Sequence, residues 1–134
     1  MREVLGIAVS GLQAASRRIE VSARNIVNAD SVGTPPATTD ARERTAAYRP
    51  QQVVQTSVAG GGVETRTVTL DPATHREFRP DHPAAGSDGL VDAPNVDPVR
   101  EAVEQITARA AYEASAKVLQ TADGLLKTVL DLRS

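Results

Sequence analysis

Leu5, Leu12, Ile19 and Ile26 recur every seven residues, and Ala8, Val9, Ala15, Ser16, Ser22 and Ala23 fill the half-steps between them. That spacing lays one apolar stripe along an amphipathic helix and suits packing along a second helix. The pattern predicts a helix over 3–28, about 39 Å long at about 1.5 Å per residue. Glu20 and Arg24 add a surface i,i+4 pair worth about 0.3–0.5 kcal/mol. The stop signal is Asn28-Ala29-Asp30-Ser31-Val32-Gly33, where Asn and Gly are expected to take left-handed backbone angles, followed by Pro35-Pro36.

A second apolar series closes the chain. Val99, Val103, Ile106, Ala110, Ala114, Val118, Ala122, Leu125, Val129 and Leu132 advance 33 residues in nine steps. This is close to the eleven-residue repeat of a nearly straight helix. Its start is well marked: Asp97 can accept hydrogen bonds from the free amides of the first turn, and Pro98 sits at the first helical position. Glu101 and Glu104 favour the positive end of the helix dipole, Lys127 and Arg133 the negative end. Glu113–Lys117 and Asp123–Lys127 are the expected surface pairs. At about 35 residues this helix would be about 52 Å long.

All eight prolines lie between positions 35 and 98, so both ends are free to be helical and the middle is not. Segments 51–58 and 63–70 are rich in Val and Thr, and Ala59-Gly60-Gly61-Gly62 between them supplies positive φ. They predict a β-hairpin. From 71 to 94 the density of Pro, Asp and Gly predicts loops with one short strand near 77–79.

Composition narrows the function. With 15 Lys+Arg against 17 Asp+Glu the net charge is −2, and no basic run with interleaved aromatics occurs, which argues against nucleic acid and anionic membranes. There is no cysteine, hence no disulfide or thiolate chemistry. The uncharged run 4–16 is too short to span a bilayer, which needs about 20 residues. Tested as a signal peptide, it fails because the apolar register continues through Ile19 and Ile26. Tyr48, Phe78 and Tyr112 are the only aromatics, so the large side chains that anchor a monomeric core are nearly absent. Alanine-rich stripes bury little area each, and a pair made of these two helices is expected to be marginal alone. Ala14, Ala102, Ala108, Ala111 and Ala116 lie off the principal stripes, which suits helices surrounded by neighbours.

Chemistry-bearing motifs are missing. His75 and His82 stand among Asp71, Glu77, Asp81 and Asp88, but the spacing matches no helical pair or zinc pattern. Around Asp88 the chain has Ala84 and Gly86 where a calcium loop needs acidic ligands. The glycine run lacks the Lys-Ser or Lys-Thr of a phosphate loop. No catalytic residue, metal site or cofactor is expected.

The residues carry a resemblance to a known family. Asn25-Ile26-Val27-Asn28-Ala29-Asp30-Ser31 resembles the Asn-Leu-Ala-Asn-Ala-(Asp/Asn)-(Ser/Thr) signature of the flagellar basal-body rod proteins, with Val27 in place of the usual Ala. Tyr48-Arg49-Pro50 and Gly62-Val63 are similar to the family's Tyr-Arg and Gly-Val segments. Pro80-Asp81-His82-Pro83 and Asp88-Gly89-Leu90-Val91-Asp92-Ala93-Pro94-Asn95-Val96-Asp97 resemble its short proximal-rod members of the C type, with Leu90 for the common Tyr and Ala93 for the common Met. Ala111-Tyr112-Glu113-Ala114-Ser115 and Leu126-Lys127-Thr128-Val129-Leu130-Asp131-Leu132 are likewise similar to the closing segments.

The resemblance implies a non-enzymatic subunit that polymerises with itself and other rod proteins into the periplasmic proximal rod, exported from the cytoplasm without a cleaved signal. Basal-body ring and export-gate components are expected as further partners. The expected fold is mainly α with a small β part: residues 1–30 and 98–134 as antiparallel coiled-coil-like rod helices, and 31–97 as a central hairpin and loop region. The residues expected to pair the helices or face other subunits are Leu5, Leu12, Ile19, Ile26, Val99, Val103, Ile106, Ala110, Ala114, Val118, Leu125, Val129 and Leu132. Asn25 and Asn28 are either a frayed helix end or donors to adjacent subunits, and Tyr112 is read as an interface anchor. The rival is a soluble helical-hairpin adaptor or chaperone offering an apolar groove to a partner helix.

Overall fold

The computed structural model describes residues 2–36 and 44–132. The chain runs α1 (Arg2–Val27), β1 (Gln51–Ser57), β2 (Val63–Thr69), β3 (Thr74–Phe78), β4 (Leu90–Pro94) and α2 (Pro98–Asp131). The architecture is the expected one, two long helices with small antiparallel hairpins between them. Helix α2 has 34 residues and α1 has 26. They pack antiparallel, with Gly11 beside Ser115 and Arg18 beside Glu104.

Helix α2 starts as its sequence dictates. The Asp97 carboxylate accepts from Val99 N at 2.9 Å and Arg100 N at 3.3 Å, and Pro98 follows. A cap of this kind contributes about 1 kcal/mol. On the helix surfaces Glu20–Arg24 and Asp123–Lys127 both close at 2.7 Å. Glu113 pairs with Arg109 at 3.0 Å rather than with Lys117. Arg133 lies outside the described residues.

The end of α1 differs from the expected left-handed stop. Among the described residues only Gly60, Gly61, Gly62 and Gly89 have positive φ, so neither Asn28 nor Gly33 does. The helix instead tightens through successive short turns, with Ala29 N donating to Ile26 O and Ser31 N to Asn28 O. Gly33 is needed for closeness: a Cβ there would lie 2.1 Å from Ala47 N.

Strands β1 and β2 pair from Gln51↔Thr69 to Ser57↔Val63, and the three glycines turn the hairpin with φ of 92–97°. The hairpin lies along α1 on a different side from α2. Its tip is held where Val63 N donates to Ser10 Oγ at 3.2 Å, and its base where Gln51 meets Asn25. Helix α1 is therefore flanked by both other layers.

The 71–94 region corrects the expectation of loops with one strand. Strands β3 and β4 form a second antiparallel sheet, Thr74↔Pro94 to Phe78↔Leu90, and β4 also bridges to Gly33 on its other edge through two 2.8 Å bonds with Asp92. Val91 and Ala93 point inward with Val32 to form a small core, and Ala85 packs against it. A cis peptide joins Asp71 to Pro72.

Candidate functional site

The surfaces that matter for a chain without catalytic motifs are the seam between the helices and the face of α2 turned away from it. Along α1 the seam is made by Ala8, Ala15 and Ser22 and by Gly11, Arg18 and Asn25, each set spaced by seven. Along α2 it is made by Glu101, Ala108, Ser115 and Ala122, again seven apart, with Glu104 and Ala111 between. Ala8, Ala15, Ser22, Asn25, Ala108 and Ala122 are buried, and the remaining α2 members are half-buried. Small side chains let the backbones approach. A Cβ on Gly11 would sit 2.7 Å from Ser115 Oγ.

One end of the seam is polar. Asn25 is 1 % exposed, and its side chain uses every donor and acceptor it has. Nδ2 donates to Gln51 O at 2.8 Å and to Glu101 Oε1 at 2.9 Å. Oδ1 accepts from the Tyr48 hydroxyl at 2.9 Å and Gln51 N at 3.1 Å. One amide thus joins α1, the base of β1, the segment before it and α2. Ser22 Oγ donates to Glu101 O at 3.1 Å, and Arg18 binds Glu104 through both Nε and Nη2, the latter at 3.0 Å. The hydrogen bond to Glu104 raises the Arg18 pKa against the opposing cost of burial, and the guanidinium stays charged. Burial pushes the Tyr48 hydroxyl above its usual range, opposed by Arg24 and reinforced by the Glu101 charge.

Asn25 therefore turns neither toward a frayed end nor toward a neighbour; it is an internal clamp. Asn28 stays local, its Nδ2 donating to Arg24 O at 2.9 Å and its Oδ1 accepting from Ser31 at 3.3 Å. Leu5, Leu12 and Ile19 are half-buried alongside the seam, and Ile26 is 39 % exposed.

The strongest apolar stripe of α2 is not buried against α1; Ala114, Val118 and Leu125 flank the seam beside Val4 and Ile7, and Val99 and Ile106 lie farther round the helix. Val99, Val103, Ile106, Val118, Leu125, Val129 and Leu132 are all exposed, Val99 and Ile106 by 73 % and 70 %. Ala110, Tyr112 and Ala114 are exposed too. As pairing residues within the single chain these are replaced by Ala108, Ala111, Ser115 and Ala122. Of the expected α2 series only Ala122 is buried in the seam, with Ala114, Val118 and Leu125 at its edge. The physical reason is distance: helices meeting at a glycine and alanines leave no room for Val or Leu between their backbones, so the large side chains point outward. Sequence reading missed Gly11, Arg18, Glu101, Glu104, Ala108 and Ser115. The signal that could have found Ala108 and Ser115 is the seven-residue recurrence of small residues on both helices; the polar members carry no such local signal.

The histidines lie elsewhere. His82 Nδ1 accepts from Ala84 N at 3.1 Å inside a turn, and His75 Nε2 is 3.9 Å from Glu77. Among the described residues no three His, Cys, Asp or Glu side chains gather as metal ligands, and no helix is long and apolar enough to cross a membrane.

Comparison with known proteins converges on one group. A family profile described as the C-terminal region of flagellar basal body rod FlgEFG proteins matches residues 87–132, which contain β4 and all of α2. The chain is similar to the flagellar basal-body rod protein FlgC of Yersinia enterocolitica, at 39 % identity over 96 % of this chain and 95 % of that protein. The Salmonella typhimurium protein of the same name is 36 % identical over the same shares. That of Agrobacterium fabrum is 30 % identical over 94 % and 90 %.

Proposed function

The chain belongs to the flagellar basal-body rod protein family, and on that premise we propose that it builds the proximal rod through the outward face of α2. As a structural rod subunit it assembles with other rod components. The observation that carries the reading is the orientation of α2. Most of its large apolar side chains, Val99, Val103 and Ile106 above all, are left to water rather than buried by the chain's own α1. Apolar area in water costs about 25 cal/mol per Å², and a contiguous stripe of it marks a surface built for a partner. Neighbouring helices in a rod supply that cover.

In this reading the chain divides by role. Residues 1–30 and 98–134 carry the rod helices toward the inside of a tube, and 31–97 lie outside them. Val99, Val103, Ile106, Ala110, Tyr112, Ala114, Val118, Leu125, Val129 and Leu132 face other subunits, and Leu5, Leu12, Ile19 and Ile26 line the edge of the pair. The neighbours are copies of this chain and other rod proteins, with ring and export-gate components at the base. The role is mechanical rather than catalytic: torque passes through many repeated helix contacts across the periplasm. Retention of the first residues after export is supported by the seam, since cleavage near Ala15-Ser16 would remove Ala8, Gly11 and Ala14 from buried or close-packed positions. The adaptor alternative has no support, because the relatives described above are all rod proteins.

The test uses Val103→Asp and Leu125→Asp, both on exposed positions. Each is expected to leave expression and helix content intact while abolishing rod assembly and swimming, read by basal-body purification and soft-agar motility. Normal rods with both substitutions would overturn the reading.

A further inference from the structure

The small residues of the seam repeat with the same period on both helices, which makes them insensitive to sliding. Ala8, Ala15 and Ser22 are seven apart on α1, as are Ala108, Ser115 and Ala122 on α2. Moving α2 by one heptad, about 10 Å along its axis, so that Ala108, Ser115 and Ala122 take the places of Glu101, Ala108 and Ser115, would again set small side chains against small side chains. The apolar area buried would change little.

The polar end is different. A slide in one direction brings Ala108 to the place of Glu101 and Ala111 to that of Glu104, so Asn25 and Arg18 lose their carboxylates inside the seam. A slide in the other brings up Pro94, which belongs to β4, and Asp97, already occupied as the cap of α2. Only the observed alignment satisfies both α1 side chains. Asn25 is also bonded to Gln51 and Tyr48, so α2 is aligned to the hairpin as well as to α1.

We infer that Arg18 and Asn25, reading Glu104 and Glu101, are the register code of the helix pair. They act as positioning residues that select between two near-equivalent alignments of an alanine seam, as single buried polar residues do in coiled coils. The outward stripe travels with α2, so the code also fixes where that stripe lies; this last consequence, unlike the code itself, rests on the rod reading.

The chain has no cysteine, so disulfide trapping can read the register directly. A Cβ at position 11 lies 3.5 Å from Ser115 Cβ, within the span of a disulfide, about 3.5–4.5 Å. In the full-length chain under mild oxidation, Gly11→Cys with Ser115→Cys is expected to close. Gly11→Cys with Ala108→Cys, or with Ala122→Cys, reports a slip of one heptad and is expected to stay reduced. Thiol alkylation and mass spectrometry count each species. With Arg18→Met, Asn25→Leu, Glu101→Leu and Glu104→Met together, closure of the Gly11→Cys, Ala122→Cys pair should rise about tenfold, because the apolar seam no longer distinguishes that alignment from the native one. Closure of the native pair alone in that background overturns the inference. Should that variant lose its helices, the charge exchange decides. Arg18→Glu lowers native closure, and adding Glu104→Arg restores it; failure to restore overturns the code.

Discussion

Gly11 and Ser115 meet across the seam so closely that a Cβ on Gly11 would lie 2.7 Å from Ser115 Oγ but 3.5 Å from Ser115 Cβ. The hydroxyl, which can rotate, makes the tight contact; the methylene does not. Two small changes at this pair should therefore behave differently. In a Ser115→Ala background, Gly11→Ala should stabilise the chain by up to about 1 kcal/mol, the helix-propensity difference. Gly11→Leu should destabilise it by about 1–3 kcal/mol, because the backbones must separate. Chemical denaturation followed by circular dichroism checks both.

Asn25→Ala removes a fully bonded buried side chain and leaves Gln51, Tyr48 and Glu101 short of partners. A loss of about 2–4 kcal/mol is expected. Asn25→Asp should be worse at neutral pH, because its second oxygen would face Gln51 O and the Glu101 carboxylate, which now accept from Nδ2. The folded state then holds the new carboxyl's proton more tightly than the unfolded chain does. Its stability should rise as pH falls, the reverse of ordinary acid denaturation, and a denaturation series from neutral to acid pH reads the slope.

Tyr48 gives the chain an alkaline limb. Its folded pKa is raised, chiefly by burial, so the folded state keeps the proton after the unfolded chain has lost it. The stability this protects is complete below the ordinary tyrosine pKa of about 10 and is lost as pH rises above it. Tyr48→Phe should flatten that limb, at a cost of about 1 kcal/mol at neutral pH from the lost bond to Asn25. The only other tyrosine is Tyr112, so tyrosinate absorbance in a Tyr112→Phe background isolates the group.

Ala108 and Ala110 are two residues apart on α2 and face different surroundings, the first with no exposure and the second exposed. Ala108→Leu forces an extra side chain into the seam and should cost about 1–3 kcal/mol. Ala110→Leu should stay within about 0.5 kcal/mol of the parent. Equal effects at the two positions would contradict the seam.

Much of the fold was legible in short segments. Leu5 to Ile26 at seven-residue spacing located α1, Asp97-Pro98 located the start of α2, and the glycine run located the first hairpin. Each signal is local. What escaped depends on distant partners. Strand β4 is a strand because Thr74 to Phe78 and Gly33 bond its two edges, and nothing within Leu90 to Pro94 announces either. Asn25 reads locally as a residue near a helix end, yet its partners are 23, 26 and 76 positions away. The seam was misplaced because apolarity ranks Val and Leu above Ala. Close packing of two helices ranks them the other way, and the larger side chains go to the surface that other molecules must cover.

The polar contacts that close the seam span 76 to 86 residues of chain. Their formation carries the entropy of closing a very long loop, and contacts of such separation are slow to form. A chain passed end-first through a narrow channel cannot join them until about three quarters or more of it has emerged, whichever end leads. Until then α1 has no helix to lie against and its alanines bury almost nothing. For a chain so passed the fold sets its own order of events, passage before pairing, with the clamp at Asn25 closing only once everything from Asn25 to Glu101 is clear.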